Sequence, residues 1–312
     1  MISRAIWPRA LRLNNMLLNQ KHIRSFLPKR PRVSHKGTFG RVLIIAGSAQ
    51  MAGAAVLCAR SALQTGAGLV CLALPASRRC VAAAAVPESL TLGLPEKNGV
   101  ISLGATRVLQ AFIKQFKPSV ILMGPGLSNA PFIIPFLKKN TLPAVLDADA
   151  LNALARQKHW EKIIANRFVL ICTPHPGELE RLTGESPSSS QTVRMKQARE
   201  LSLRSSGVTV LKGFRSVITD GKTVYINPTG GPALAKAGSG DVLGGMIAGL
   251  WAQLGTAQGF NKVSALKAAA AGVYLHGLCG DLAAKVLTDR AVLAGDVAEQ
   301  LPNAWKRVLR SR

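Results

Sequence analysis

The chain has 312 residues, with 40 Lys or Arg against 15 Asp or Glu, for a formal net charge of +25. That length allows one large domain or two small ones and suffices to bury a sizeable core, which 48% hydrophobic but only 5% aromatic content makes aliphatic. A helical membrane span is excluded because charges or glycine clusters break every long apolar stretch, and a disulfide framework or zinc module because the five cysteines (Cys58, Cys71, Cys80, Cys172, Cys279) form no C-x-x-C pair.

Residues 1–16 are Arg-rich and free of acidic residues. They read either as a transit-type presequence or as an over-long start with Met16 as the initiator. Residues 1–22 are therefore set apart as a basic extension, and 23–312 are expected to form a single domain. No acidic residue precedes Glu88, while residues 1–87 carry 13 Lys or Arg; 27 basic and 15 acidic residues follow. Such an excess attracts polyanions. Without R-G-G tracts or basic–aromatic interleaving, a small polyanionic substrate fits better than specific nucleic-acid binding. Scattered thiols suit a reducing compartment, so a cytoplasmic location is expected.

Residues 41–46 form a short continuous apolar run, as expected of a buried parallel strand. An Ala-rich helix is read over 52–65. Further apolar runs at 69–74, 120–123, 144–146, 168–172 and 208–211 alternate with helical patterns near 104–115, 129–139, 149–157 and 190–206. This alternation predicts an α/β fold with a central, mostly parallel sheet. Residues 215–226 differ. Two β-like runs flank Asp220-Gly221, which predicts an antiparallel hairpin at the sheet edge. Helices are read near 238–254, 263–283 and 291–301.

Loops at predicted strand ends carry the chemistry. Gly47-Ser-Ala-Gln-Met-Ala-Gly53-Ala54 links the first strand to its helix and reads either as a tight turn or as a backbone that a ligand can approach. Gly126, in Met-Gly-Pro-Gly-Leu, can adopt positive φ. In Leu146-Asp-Ala-Asp149, the carboxylates are read as diverging rather than as one metal dyad. Asp149 suits an N-cap, and Asp147 a contact to substrate or hydrated Mg2+. His175 sits between two prolines, either as a structural residue or as a ligand contact, and Glu178 suits a helix start. Lys212 to Ser216 (Lys-Gly-Phe-Arg-Ser) reads as edge-strand basic residues or as a wall for phosphates and ribose.

The most informative stretch is Gly238-Ser239-Gly240-Asp241 before an apolar run. Val242, Met246, Gly249 and Leu250 recur at helical spacing and predict an amphipathic helix. A Gly-rich helix start exposes unpaired N–H groups and binds anions. Asp241 at its lip repels phosphate but can take a proton from a hydroxyl held beside one. Anion cradle plus base is a minimal kit for phosphoryl transfer to an alcohol. An open α/β sheet brings such loops to one edge.

Taken together, L-P-K-R-P-R-V-S-H-K-G-T-F-G-R-V-L-I-I-A-G-S, T-G-A-G-L-V, M-G-P-G-L, V-L-D-A-D-A-L-N, T-P-H-P-G-E, L-K-G and A-G-S-G-D-V-L-G-G-M-I-A-G-L resemble, in order, the ADP/ATP-dependent NAD(P)H-hydrate dehydratases of the ribokinase-like superfamily. The resemblance runs from about Ile23 to the C-terminal helices. It implies a three-layer α/β/α fold and ADP-dependent dehydration of (S)-NADHX and (S)-NADPHX to NADH and NADPH, with AMP and phosphate released. It also implies Mg2+ with ADP or ATP as phosphate donor, a homo-oligomer of tetramer type, and a separate NAD(P)HX epimerase. By the same resemblance Asp241 is the catalytic base. Ala54, Gly126, His175 and Asp241 line the hydrated cofactor; Lys212, Gly213, Phe214, Arg215, Ser216, Gly238, Ser239 and Gly240 hold the nucleotide. No protein metal ligands are assigned. Gly231 replaces a family Asn, Lys236 adds a cation near the anion loop, and Met51-Ala-Gly53 stands where the family has an aromatic. The competing function is a ribokinase-like kinase for a vitamin-type alcohol, which shares the cradle and retains the phosphate.

Overall fold

The structure, a computed structural model, describes residues 14–165 and 169–310. The presequence reading of residues 1–16 falls almost wholly outside them, as does Phe168 of the run at 168–172.

Among the described residues, twelve strands are formed. Ten make one sheet: β1 (Asn14–Leu17), β2 (Arg41–Ile45), β3 (Leu69–Pro75), β4 (Leu90–Leu94), β7 (Val120–Met123), β8 (Ala144–Leu146), β9 (Leu170–Cys172), β10 (Val208–Leu211), β11 (Val217–Thr219) and β12 (Thr223–Ile226). The remaining two, β5 (Glu96–Lys97) and β6 (Val100–Ile101), pair only with each other. The sheet order is β1-β12-β11-β10-β9-β8-β7-β2-β3-β4. From β10 to β4 every pairing is parallel, and β10-β11 and β11-β12 are antiparallel. The Asp220-Gly221 hairpin is thus present, but it is not the edge. β1 lies outside it, parallel to β12, with Met16 opposite Tyr225. The described fold therefore begins before residue 23, and the helix Gln20–Phe26 also belongs to it.

Alternation along each strand divides the core into two layers. Val42 and Ile44 face one cluster, with the helices Ala52–Gln64, Ser239–Gln258 and Lys262–Ala291. Leu43 and Ile45 face the other, with Ala105–Phe116, Ile133–Lys139, Ala148–Ala155 and Gln191–Arg204. This is the expected three-layer α/β/α arrangement.

One helix differs from its expected character. Ser239–Gln258 is not amphipathic, since every residue from Val242 to Gly255 is buried. It is enclosed on every side, and its glycines, on or beside the apolar stripe, bring one neighbour into close contact. A Cβ on Gly245 would lie 2.2 Å from the Cys58 carbonyl oxygen, and one on Gly249 would lie 2.6 Å from that of Ala62. The helix Ala52–Gln64 therefore packs backbone to backbone against it. Adding a methyl at either position forces the helices apart, which costs roughly 1–3 kcal/mol.

Candidate active site

The parallel register places the ends of β8, β9 and β10 side by side, with Leu146 opposite Cys172 and Cys172 opposite Thr209. The residues just past those ends are Asp147, His175 and Lys212. They face the start of the Ser239–Gln258 helix across a cleft of about 870 Å3. Of the residues expected from sequence, His175, Lys212, Gly213, Phe214, Arg215, Ser216, Ser239, Gly240 and Asp241 line it, as do Gly231 and Lys236. Gly238, Ala54 and Gly126 are not among its lining residues. A Cβ on Gly126 would sit 3.1 Å from the Ala54 Cβ and 3.0 Å from that of Met51, so these two loops meet each other, and Gly126 is buried between them.

The anion loop has the predicted backbone. Gly238 is the N-cap at φ 84°, the left-handed region that only glycine enters without strain. A Cβ there would also lie 2.7 Å from Leu57 Cδ1. The first helical hydrogen bond runs from the Val242 N–H to the Gly238 carbonyl at 3.1 Å. The Gly240 and Asp241 N–H groups precede that ladder, and no side chain caps the helix. Ser239 is held from behind, its hydroxyl 3.2 Å from Nε2 of buried His276. Burial pushes His276 down to about 4, so it is neutral. The Cys58 thiol donates to the Asp241 carbonyl at 3.2 Å and fixes the next residue.

Asp241 is raised to about 6, first by burial and then by the charge of Asp147; Lys212 partly offsets both. It is ionised at neutral pH yet more basic than an ordinary carboxylate, which suits a general base.

Lys212, read as an edge-strand cation or as part of a wall for phosphates and ribose, already has carboxylate partners. Its ammonium donates to Asp147 Oδ1 at 2.6 Å and lies 3.7 Å from Glu178 Oε2. Burial pulls it down, but Asp147 and Glu178 outweigh that and raise it, so it stays charged. Its Nζ is 3.6 Å from where a Gly240 Cβ would be. Gly240 therefore keeps the lysine and the helix start in close approach.

Asp149 is not the N-cap expected. That position belongs to Asp147, which is extended (φ −135°, ψ 164°), while Asp149 sits in the first turn of Ala148–Ala155 and accepts the Ser128 N–H at 2.7 Å. The pair does diverge, because the chain turns from strand into helix between the two.

His175 caps the helix Pro176–Thr183. Its Nδ1 accepts the Gly177 and Glu178 N–H groups at 3.1 and 3.4 Å, and Glu178 accepts the His175 N–H in return at 2.8 Å. Burial and the Lys212 charge lower its pKa, so the ring is neutral. With Nδ1 an acceptor, the proton sits on Nε2. His175 can therefore donate to a ligand from Nε2 but cannot act as a base there.

Arg194 is, with His276, a residue that sequence reading missed. It is buried and donates to the carbonyls of Leu211, Lys212 and Phe214, pinning the loop from Lys212 to Ser216 from behind. It sits in the first turn of the helix Gln191–Arg204, with no neighbouring motif to mark it. Beyond it Phe214 is 78% exposed, with the Arg215 guanidinium 5.7 Å from its ring centre. No three His, Cys, Asp or Glu side chains converge on a metal position among the described residues, and no helix among them is long and apolar enough to cross a membrane.

Comparison with known proteins bears on this geometry. The family model described as NAD(P)H-hydrate dehydratase matches residues 42–303. The chain is 42% identical over 296 residues to a bifunctional NAD(P)H-hydrate repair enzyme of Moorella thermoacetica, covering 93% of this chain and 53% of that protein. It is 32% identical over 300 residues to the ADP-dependent (S)-NAD(P)H-hydrate dehydratase of Bacillus subtilis, covering 95% of this chain and 99% of that one. The chain thus spans about half the length of the bifunctional relatives it matches. Among solved structures, the Bacillus subtilis ADP/ATP-dependent NAD(P)H-hydrate dehydratase, co-crystallised with ATP and Mg2+, superposes with a TM-score of 0.75 at 29% identity, over 96% of this chain and 100% of that one. A hydroxyethylthiazole kinase from Pyrococcus horikoshii, at 14% identity and a TM-score of 0.55 over 94% of this chain and 95% of that one, shares the ribokinase-like fold alone.

Proposed function

The chain belongs to the NAD(P)H-hydrate dehydratase family, and on that premise we propose that its cleft performs ADP-dependent dehydration of (S)-NADHX and (S)-NADPHX. The observation that carries this reading is the uncapped helix start at Gly238–Gly240 with a carboxylate raised to about 6 beside it. The problem to be solved is a leaving group. Hydroxide is a poor one at neutral pH and phosphate a far better one.

Asp241 takes the proton of the ring hydroxyl as its oxygen attacks the terminal phosphorus of ADP. An O–P bond forms, the bridging P–O bond to the inner phosphate breaks, and AMP leaves with that electron pair. The Gly240 and Asp241 amides stabilise charge on the transferring group. The ring nitrogen's lone pair then expels phosphate as the C–O bond breaks. A proton then passes from the neighbouring carbon to water, its electron pair forms the restored double bond, and the ring nitrogen regains its lone pair. Net products are NAD(P)H, AMP and phosphate. His175 orients the hydrated cofactor through its Nε2–H, and the loop from Lys212 to Ser216, shaped by Arg194, holds the nucleotide.

Mg2+ fits as a companion of the nucleotide. It needs only one or two carboxylates beside phosphate oxygens and water, and Asp147 and Asp241 border the cradle, with Asp147 Oδ2 3.9 Å from the Gly240 Cβ position. When bound, it supplies charge neutralisation on the donor phosphates. We include in the same reading a homo-oligomeric assembly and a functional link to an NAD(P)HX epimerase.

The test is purified protein with NADHX and ADP, followed by reduced-nicotinamide absorbance and chromatography. The expected result is NADH and AMP in equal amounts. A stable phosphorylated alcohol instead identifies a ribokinase-like kinase.

A further inference from the structure

The floor of the cleft is short of available positive charge. Asp147, Glu178 and Asp241 surround one ammonium, Lys212, which is already hydrogen-bonded to Asp147 and faces Glu178. Arg194 spends its donors on loop carbonyls. Arg215 leans over the Phe214 ring. A nucleoside diphosphate brings several negative charges onto this floor, where close carboxylates oppose it. Beside the Mg2+ that accompanies the nucleotide, a cation at the rim further offsets that repulsion.

Lys236 is placed to do so. It is exposed, lines the cleft with Ala237, Ser239, Gly240 and Asp241, and precedes the Gly238 N-cap by two residues. Its ammonium donates to the main-chain carbonyl of Arg290, a neutral acceptor that follows the interruption of the long helix at Thr288 (φ 67°, ψ 158°). No ion pair engages it among the described residues. Lysine is a compact point charge on a flexible stem. Exchanging a carbonyl for a phosphate oxygen replaces a hydrogen bond to a neutral acceptor with a stronger one between two ionised groups.

We propose that Lys236 distinguishes a nucleoside diphosphate from a monophosphate, leaving the Arg290 carbonyl to pair with the terminal phosphate seated on the Gly240 and Asp241 amides. This rests on reading the cleft as a nucleotide site. When that phosphate is transferred, the remaining monophosphate loses its grip on Lys236, which returns to Arg290, and product release follows.

The test is calorimetric titration of the wild type, Lys236→Met and Lys236→Arg with ADP and with AMP, in Mg2+ buffer. Lys236→Met keeps the aliphatic stem and removes only the charge. It is expected to weaken ADP binding about 10-fold or more while AMP stays within about twofold, and Lys236→Arg is expected to retain most of the ADP affinity. Equal losses for both nucleotides, or unchanged ADP binding, overturn the inference and leave the reading of the cleft intact. Failure of the wild type to bind either nucleotide overturns both. If Lys236→Met does not fold, the salt dependence of wild-type binding decides, with ADP affinity expected to fall more steeply than AMP affinity as salt rises; equal slopes contradict the assignment.

Discussion

Two helices begin at the same cleft and treat their first-turn N–H groups in opposite ways. Pro176–Thr183 is closed by its own sequence, with His175 and Glu178 forming a reciprocal capping box. Ser239–Gln258 is capped by a glycine with no side chain to offer. The first start is satisfied without a ligand and serves as a clamp for the loop that presents His175. The second is left with unmet donors and a partial positive charge, and phosphate is the group that meets both needs. A Gly-rich helix start thus gains its meaning from which neighbours decline to cap it.

The largest expected effect comes from removing the base at the open start. Asp241→Asn is expected to lower kcat by about 10^2 to 10^4 while ADP binding persists. The same variant is expected to be more stable than the wild type at neutral pH. Asp241 is raised from 3.8 to about 6 in the fold. Its ionised form therefore opposes folding, by on the order of 1–3 kcal/mol above about pH 6, and this penalty shrinks as pH falls below about 6 and is gone below the ordinary value of 3.8. Thermal melts across pH check the sign. A variant that melts lower than the wild type at neutral pH contradicts the assigned burial.

Next comes the open cap itself. Gly238→Ala adds a Cβ in the left-handed region, 2.7 Å from Leu57 Cδ1. It is expected to cost roughly 1–3 kcal/mol of stability and to raise KM for ADP, as measured by denaturant melts and steady-state kinetics. A smaller effect is expected at the closed cap. His175→Ala removes a side-chain cap worth about 1 kcal/mol and is expected to raise KM for NADHX more than it changes KM for ADP. If both helix starts respond alike in ADP affinity, the contrast between them fails. Subtler still is the pH profile. kcat/KM is expected to fall as pH drops through about 6, because Asp241 must be ionised to accept a proton. A flat profile between pH 5 and pH 7 removes Asp241 from that role.

What was legible in the sequence was local. The alternating apolar runs marked the parallel strands, and Gly238–Asp241 declared its own backbone. Asp220-Gly221 marked the hairpin, but nothing local showed that Asn14–Leu17 would pair outside it, since that contact joins residues more than 200 apart. The apolar stripe at 242, 246 and 250 could not show that neighbours would also cover the remaining faces and bury every residue from Val242 to Gly255. Charge pairing was equally out of reach. Lys212 was legible as a cation at a strand end, but its capture by Asp147, 65 residues away, depends on the register of β8, β9 and β10. Arg194 carried no local signal, because its partners are main-chain carbonyls, which every sequence possesses.

The most direct test of the account follows one oxygen atom. NADHX carrying heavy oxygen in its ring hydroxyl is turned over with ADP, and phosphate and water are analysed by mass spectrometry. Phosphoryl transfer to that hydroxyl before elimination predicts the label in inorganic phosphate. Label released into water would show that the hydroxyl leaves without ever being phosphorylated, and would contradict the central claim.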